Sequence, residues 1–256
     1  MTVLFVGDVV GRPGREYISR NLRKIKKEYN VDMCIINSEN SAHGKGATIS
    51  TARELYESGG DVLTMGNHTY NRNTENLFDE IPYIIRPANY PAFMPGCGSY
   101  IFDNGKDRIG VVNLLGRIYL DPIDSPFDSA IKEINKIKDD CDAIIVDFHA
   151  EATSEKAAMA HFLDGKVAAV LGTHTHVQTA DEQILSGGTA FISDVGMTGP
   201  KDSILGVETQ IIVDRFSKYA QGKFEISDSP AKFNAVLLDV DTQNGKCNKI
   251  ERINLV

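Results

Sequence analysis

An α/β fold built on parallel strands is predicted by the first third of the sequence, and two later features extend the prediction. Three apolar runs, at residues 2–6, 33–36 and 61–65, alternate with two helical stretches, which is the βαβαβ order of a parallel sheet. A further strand, helix and strand follow between residues 143 and 172. Two Asn-Gly pairs, Asn104-Gly105 and Asn244-Gly245, sit between strand-like runs and mark hairpins that add antiparallel strands.

Taken in order, residues 2–6 form the first strand and end in Gly7-Asp8-Val9-Val10-Gly11. Tyr17, Ile18, Leu22, Ile25 and Tyr29 then recur at helical spacing among Arg and Lys. The second strand ends in Asn37-Ser38-Glu39-Asn40, before a loop with His43-Gly44-Lys45-Gly46. Ser50 or Thr51 can cap a short helix through Tyr56, stopped by Gly59-Gly60. The third strand ends in Gly66-Asn67-His68-Thr69. Residues 83–89 hold a short strand broken by Pro87, and residues 99–102 and 108–114 flank the first hairpin turn. An irregular stretch at 116–126 precedes a helix at 127–138 with Phe127, Ile131, Ile134 and Ile137 on one face. Residues 143–146 are a strand ending in Asp147-Phe148-His149, and Ser154 caps a helix through Leu163. The next apolar run, residues 167–172, ends in Thr173-His174-Thr175-His176. A strand at 189–193, the motif Asp194-Val195-Gly196-Met197-Thr198-Gly199-Pro200, and a final hairpin at 234–240 and 249–256 complete the chain.

The 256 residues can bury one full core, and a single domain over residues 1–256 is expected. Hydrophobic content of 42% and charged content of 24% are those of a globular protein. The net charge of -8 argues against general binding to nucleic-acid backbone. No apolar run approaches ~18 residues, so no membrane-spanning helix is expected, and the first residues lack a basic leader. Cys34, Cys97, Cys141 and Cys247 are widely spaced, which reads as free thiols in a cytoplasmic protein.

Five strand ends carry side chains suited to a metal: Asp8, Glu39 with Asn40, Asn67 with His68, His149, and His174 with His176. In an extended chain residues i and i+2 share a side, so the two imidazoles of His-Thr-His are expected to face one point. Each signal alone is weak, since a strand-end Asp is usually a turn former and a single histidine a satisfied core residue. Their coincidence on strand ends, where α/β sheets bind ligands, is what carries the reading. Two carboxylates, two amides and several imidazoles exceed one tetrahedral site and can supply two ions of higher coordination number. A rival reading starts from Gly7, Gly11 and Gly14, which resemble a dinucleotide-binding turn with Glu39 on a ribose hydroxyl. Its spacing is not G-x-G-x-x-G, and the nicotinamide-dependent oxidoreductase it implies gives the strand-end histidines no role.

These residues, in this order, resemble the motifs of the calcineurin-like metallophosphoesterases. The fuller pattern is similar to the YmdB family of bacterial cyclic-nucleotide phosphodiesterases. It comprises Gly7-Asp8-Val9-Val10-Gly11, the stretch from Asn37 to Gly46, Gly66-Asn67-His68-Thr69, Gly172-Thr173-His174-Thr175-His176, and the Asp194-to-Pro200 motif. The resemblance implies a four-layer αββα sandwich of two mixed sheets. One departure is informative: the broader superfamily has a metal-binding histidine where Val10 stands, and the YmdB resemblance implies that Asn40 fills that vacancy. By the same resemblance, Asp8, Glu39, Asn40 and His176 hold one metal, Glu39, Asn67, His149 and His174 hold the second, and Glu39 bridges. Iron is the implied metal, with manganese able to substitute, while the ligand set itself fits Fe, Mn or Zn. The implied reaction is hydrolysis of 2′,3′-cyclic nucleotides, extending to 3′,5′-cyclic ones. A metal-bridging hydroxide attacks phosphorus and His68 protonates the leaving 2′-oxygen. His43 can contact phosphate or base or be a loop histidine with no role, Thr198 and Gly199 are implied pocket residues, and a homo-oligomer is implied. A regulatory or RNA-associated factor with a sensing metal site is the alternative from another class. Arg12 and Lys45 can offer charge to a substrate or remain solvated surface, and His161 reads as structural or exposed.

Overall fold

The computed structural model describes residues 1–72, 74 and 76–256. In the first sheet, β1 (Thr2–Val6) passes through Gly7 into the short β2 (Asp8–Val9). β1 pairs in parallel with β3 (Met33–Asn37), which continues into β4 (Val62–Thr64) and β5 (Ile84–Ile85). The second sheet centres on β7 (Arg108–Leu115), β8 (Ala143–His149) and β9 (Ala169–Thr173), all parallel. It is flanked by β6 (Ser99–Asp103), antiparallel to β7, and by β11 (Ala190–Ile192) with β10 (Gln183–Ile184). The C-terminal hairpin of β13 (Ala231–Asp241) and β14 (Lys246–Leu255) closes the first sheet, with β13 antiparallel to β1. β12 (Met197–Pro200) wedges between β2 and the start of β13.

Alternation along the strands explains the layering. Val3 and Phe5 of β1, with Met33 and Ile35 of β3, face Val111, Ile145 and Leu171 of the other sheet. Leu4, Val6 and Ile36 point the opposite way, onto Ile18, Leu22 and Ile25 of α1 (Gly11–Glu28) and Leu55 of α2 (Ile49–Glu57). On the far side, Val112, Val146 and Phe148 bury Ile134 of α4 (Pro126–Ile137) and Met159 and Leu163 of α5 (Thr153–Leu163). Three apolar layers between four layers of structure make an αββα sandwich of two mixed sheets, the fold class the sequence pointed to. Period 2 in the strands and 3.6 in the helices produce it together.

Several boundaries differ from the sequence reading. α2 begins two or three residues earlier than Ser50 or Thr51 as cap suggested, because Thr48 is extended (φ -122) and its hydroxyl accepts the Thr51 N–H in a reciprocal capping box. α5 has Ala152, not Ser154, at its cap position, and no side chain caps it. β8 runs on through Asp147 to His149, so both are strand residues and not a loop after the strand. The short α3 (Leu77–Glu80) and α6 (Thr209–Lys218) carry no matching expectation.

Candidate metal centre

The carboxyl ends of strands from both sheets meet at one edge of the sandwich. From the first sheet come Asp8 in β2, Glu39 and Asn40 just past β3, and Asn67 and His68 past β4. From the second come His149 at the end of β8, and His174 and His176 just past β9. Asp8, Glu39, Asn40 and His149 are buried, whereas Asn67, His68, His174 and His176 are half-buried at the mouth. The structure therefore brings together all seven proposed ligands and His68.

The backbone route for the His-Thr-His segment differs from the extended one expected. His174 and His176 both have left-handed backbone, at φ 103 and φ 65, which non-glycine residues rarely adopt. Their imidazoles converge because the chain turns, not because a strand alternates.

Each carboxylate gives one oxygen to the backbone and the other to the centre. Asp8 Oδ2 accepts the His174 N–H at 3.2 Å, and Glu39 Oε2 accepts the His68 N–H at 3.1 Å. Glu39 Oε1 lies 3.0 Å from His149 Nε2 and 3.1 Å from the Asn40 amide nitrogen. Around His149 Nε2 stand also Asn67 Oδ1 at 3.1 Å and His174 Nδ1 at 3.0 Å. Around the Asn40 amide stand His176 Nε2 at 3.1 Å and Asp8 Oδ1 at 3.5 Å. Two sets of four side chains thus abut, and Glu39 Oε1 belongs to both.

The histidines are held at their second ring nitrogens. Thr173 donates its hydroxyl to Asp147 Oδ1 (2.7 Å), so it accepts from His149 Nδ1 at 2.9 Å. That fixes the proton on Nδ1 and leaves Nε2 of the neutral ring with a lone pair. His174 Nε2 is 2.9 Å from the Glu151 carboxylate, and His176 Nδ1 donates to the Leu205 carbonyl at 3.0 Å.

This donor set fits metal ions. Ligands bound at about 2.1 Å lie about 3 Å from their neighbours in an octahedral shell, which is the spacing around His149 Nε2. A neutral His149 brings its Nε2 lone pair against the oxygens of Glu39 and Asn67, an arrangement that calls for a cation. Glu39, His149 and His174 alone place ligand atoms within 4.8 Å of one another. Asn40 fits as an oxygen ligand with its amide turned over, an orientation of the same shape.

The electrostatics agree. Burial would raise the Glu39 carboxyl, but the His149 imidazole and the His68 contacts hold it at about 2. Burial would lower His149, but Glu39 and Asp8 pull it up to about 9. A proton on His149 therefore supplies positive charge that a metal supplies when bound. Burial, seconded by His149, drives His174 down to about 3, keeping its ring neutral. Asp8 is raised by burial against the pull of His176 and His149, and His68 is lowered by burial despite Glu39.

Several residues with evident roles escaped the sequence reading. Asp147, buried and raised by that burial to about 7, accepts from Thr64, Thr173 and Asn37, and so orients His149 through Thr173. Its spacing of two from His149 in one strand was the available signal. Asn71, three residues after His68, meets His68 Nδ1 at 2.9 Å. Other candidates form no side-chain hydrogen bond with the cluster among the described residues. His43 is exposed, at φ 55, and forms no hydrogen bond with the cluster among the described residues. Thr198 and Gly199 are buried in β12: the Thr198 hydroxyl donates to the Asn234 carbonyl, and Gly199 packs on Val10. Arg12 pairs with Asp228 at 2.9 Å, and His161 is exposed on α5. The glycines that resemble a dinucleotide turn are occupied by protein: a Cβ on Gly7 would strike the Gly196 carbonyl, and one on Gly14 the Thr198 carbonyl.

Comparison with known proteins gives a consistent picture. Residues 4–253 match the family model described as YmdB-like protein. The 2′,3′-cyclic-nucleotide 2′-phosphodiesterase of Bacillus subtilis (strain 168) is 46% identical over 255 residues, covering 99% of this chain and 96% of that protein. The crystal structure of a hypothetical protein from Thermus thermophilus superposes with a TM-score of 0.92 at 38% identity, covering 99% of this chain and 98% of the other. A crystal structure described as a novel phosphatase from Mycoplasma pneumoniae superposes equally well, at 0.92 and 38%, covering 100% and 93%.

Proposed function

Because the chain belongs to the YmdB-like protein family, we propose that it is a metal-dependent phosphodiesterase that opens 2′,3′-cyclic nucleotides to 3′-nucleotides. The observation that carries this reading is Glu39 Oε1, shared by two abutting sets of four ligand side chains. Asp8, Glu39, Asn40 and His176 would hold one ion, and Glu39, Asn67, His149 and His174 the other. An all-nitrogen-and-oxygen set suits iron, manganese or zinc, and the family resemblance favours iron. When bound, such ions would neutralise charge on the phosphoryl oxygens and make a water nucleophilic near neutral pH.

The chain's own residues supply the rest. His68 follows a ligand residue directly, and its backbone N–H is pinned to Glu39 Oε2. Asn71 occupies Nδ1, leaving Nε2 as the ring atom that carries a proton to the departing 2′-oxygen. Burial lowers its pKa, which makes the protonated ring a stronger acid. Glu151, Thr173 and the Leu205 carbonyl keep the ligand histidines from rotating. The relative from Bacillus subtilis is named for the same substrate class.

The test is metal content and hydrolysis of 2′,3′-cAMP on one sample, before and after chelation. About two ions per chain are expected, with turnover lost on chelation and restored by Mn²⁺. In the same assay His68→Ala is expected to keep its metal while kcat falls by about 10²–10⁴. A protein holding two Mn²⁺ per chain that leaves 2′,3′-cAMP and 3′,5′-cAMP intact would overturn the proposal.

A further inference from the structure

α5 turns one charged side chain inward. Lys156 is about 1% exposed, among the largest fully buried side chains of the protein, and its Nζ donates to Asp194 Oδ2 at 2.8 Å. Asp194 is equally buried. Removing two charges from water is costly, and their attraction offsets it only when further hydrogen bonds satisfy the remaining lone pairs. Those further bonds all go to neighbouring loop residues. Asp194 Oδ2 also accepts from the Thr175 N–H at 2.9 Å and from the Thr175 hydroxyl at 2.8 Å, while Oδ1 accepts from the Gly196 N–H at 2.8 Å.

Thr175 is the residue between His174 and His176, the two positions with left-handed backbone. Such conformations persist only where the surroundings over-determine them. The segment is fastened in front by the His174 N–H on Asp8 Oδ2 and behind by Thr175 on Asp194. Space is tight around the lysine: at Gly172, the last strand position but one before His174, a Cβ would strike the Ser193 carbonyl first and would also come within 2.9 Å of Lys156 Cδ. Stability alone does not call for this pair, since apolar residues of similar volume serve a core as well or better.

We propose that Lys156 and Asp194 are positioning residues, a buried clamp that holds Thr175 and thereby presents His174 and His176 to both metal ions. This rests on the metal-centre reading above. Neither residue belongs to either set of candidate ligands. Lys156 fixes Asp194, Asp194 fixes Thr175, and Thr175 fixes the turn that aims both imidazoles. Preformed ligands need no ordering when the ions arrive, so the clamp raises metal affinity without adding a ligand.

The experiment is Mn²⁺ titration calorimetry, with electron paramagnetic resonance of the loaded protein, on wild type, Lys156→Met, Thr175→Val and Thr175→Ser. Wild type is expected to bind two Mn²⁺ and to give the signature of a magnetically coupled pair. Lys156→Met and Thr175→Val are expected to lose about 10–100-fold in Mn²⁺ affinity, with the coupled signal replaced by that of isolated ions. Thr175→Ser keeps both bonds to Asp194 and is expected to retain wild-type affinity, a rescue that loss of bulk or stability would not give. Should Lys156→Met fail to fold, the valine and serine variants decide by themselves. Folded variants that all bind two Mn²⁺ with wild-type affinity and coupling would overturn the clamp and leave the metal centre standing. A wild type that takes up no Mn²⁺ overturns the metal centre, and the clamp with it.

Discussion

Glu39 differs from the other six candidate ligands in that one oxygen serves both sets while the other is tied to the His68 backbone. Asp8 likewise ties one oxygen to a backbone N–H, that of His174, and its other oxygen lies 3.5 Å from the Asn40 amide without the short contacts to both sets that Glu39 Oε1 makes. Glu39→Ala is therefore expected to deplete both ions, and Asp8→Ala mainly one; elemental analysis of the two purified variants checks this, and two full equivalents in the Glu39 variant would contradict the bridge. All seven candidates stand at strand ends that are conspicuous in the sequence, because a polar residue ending an apolar strand stands out, while their division into two ligand sets follows from the family resemblance. The way His174 and His176 converge could not be read. It depends on left-handed backbone held by Asp8 and by Asp194, which is 18 residues beyond His176 in the chain. Lys156 was invisible for a related reason: a lysine on a helix reads as solvent-facing until its carboxylate partner is known.

At the level of elements, strand ends do the positioning, and what they omit matters as much as what they carry. Gly66 joins β4 to Asn67, and a Cβ there would overlap the Glu39 carboxylate and come within 2.5 Å of His149 Nε2. Space, not backbone freedom, requires the glycine. Gly66→Ala is expected to retain its far-ultraviolet circular dichroism, to lose about 1–3 kcal/mol of stability, and to bind less metal, since the two displaced side chains belong to the centre. Unchanged metal content would show that the strand end can shift at no cost to the site. Strands and the larger helices were legible because burial on one or both faces writes a period into the sequence. Caps were less so: Thr48, Ser50 and Thr51 are chemically equivalent candidates, and only φ and hydrogen-bond geometry select Thr48. α6 was missed because Ile212 is its one buried residue, too little to make a stripe.

Across the whole molecule, the centre joins the two sheets, so its charge state is coupled to the stability of the sandwich. With metal removed, His149 gains stability that is fully present below its ordinary value of 6.5 and lost as pH rises through about 9. Asp147 acts in the same direction, favouring the fold below 3.8 and losing that effect as pH rises through about 7. Glu39 opposes them only at low pH, where its contribution disappears as pH falls from 4.5 through about 2. Chelated protein is therefore expected to melt at progressively lower temperature from pH 6 to pH 9. Mn²⁺-loaded protein should gain on it over that range, because metal must displace the His149 proton. Thermal melts with and without Mn²⁺ test this, and parallel curves would contradict it. The placement of β13 has a consequence for biosynthesis. β1, which leads into Asp8, has β3 on one side, but its other edge is covered only by residues 235–239, and Asp8 itself is paired by Met197 in β12. A ribosome delivers those partners long after β1 itself. Until residues 197 and 235–239 have emerged, the nascent chain carries an uncovered apolar strand edge beside half-assembled ligands, so it is during translation that this protein is most exposed to misassociation and least able to take up metal.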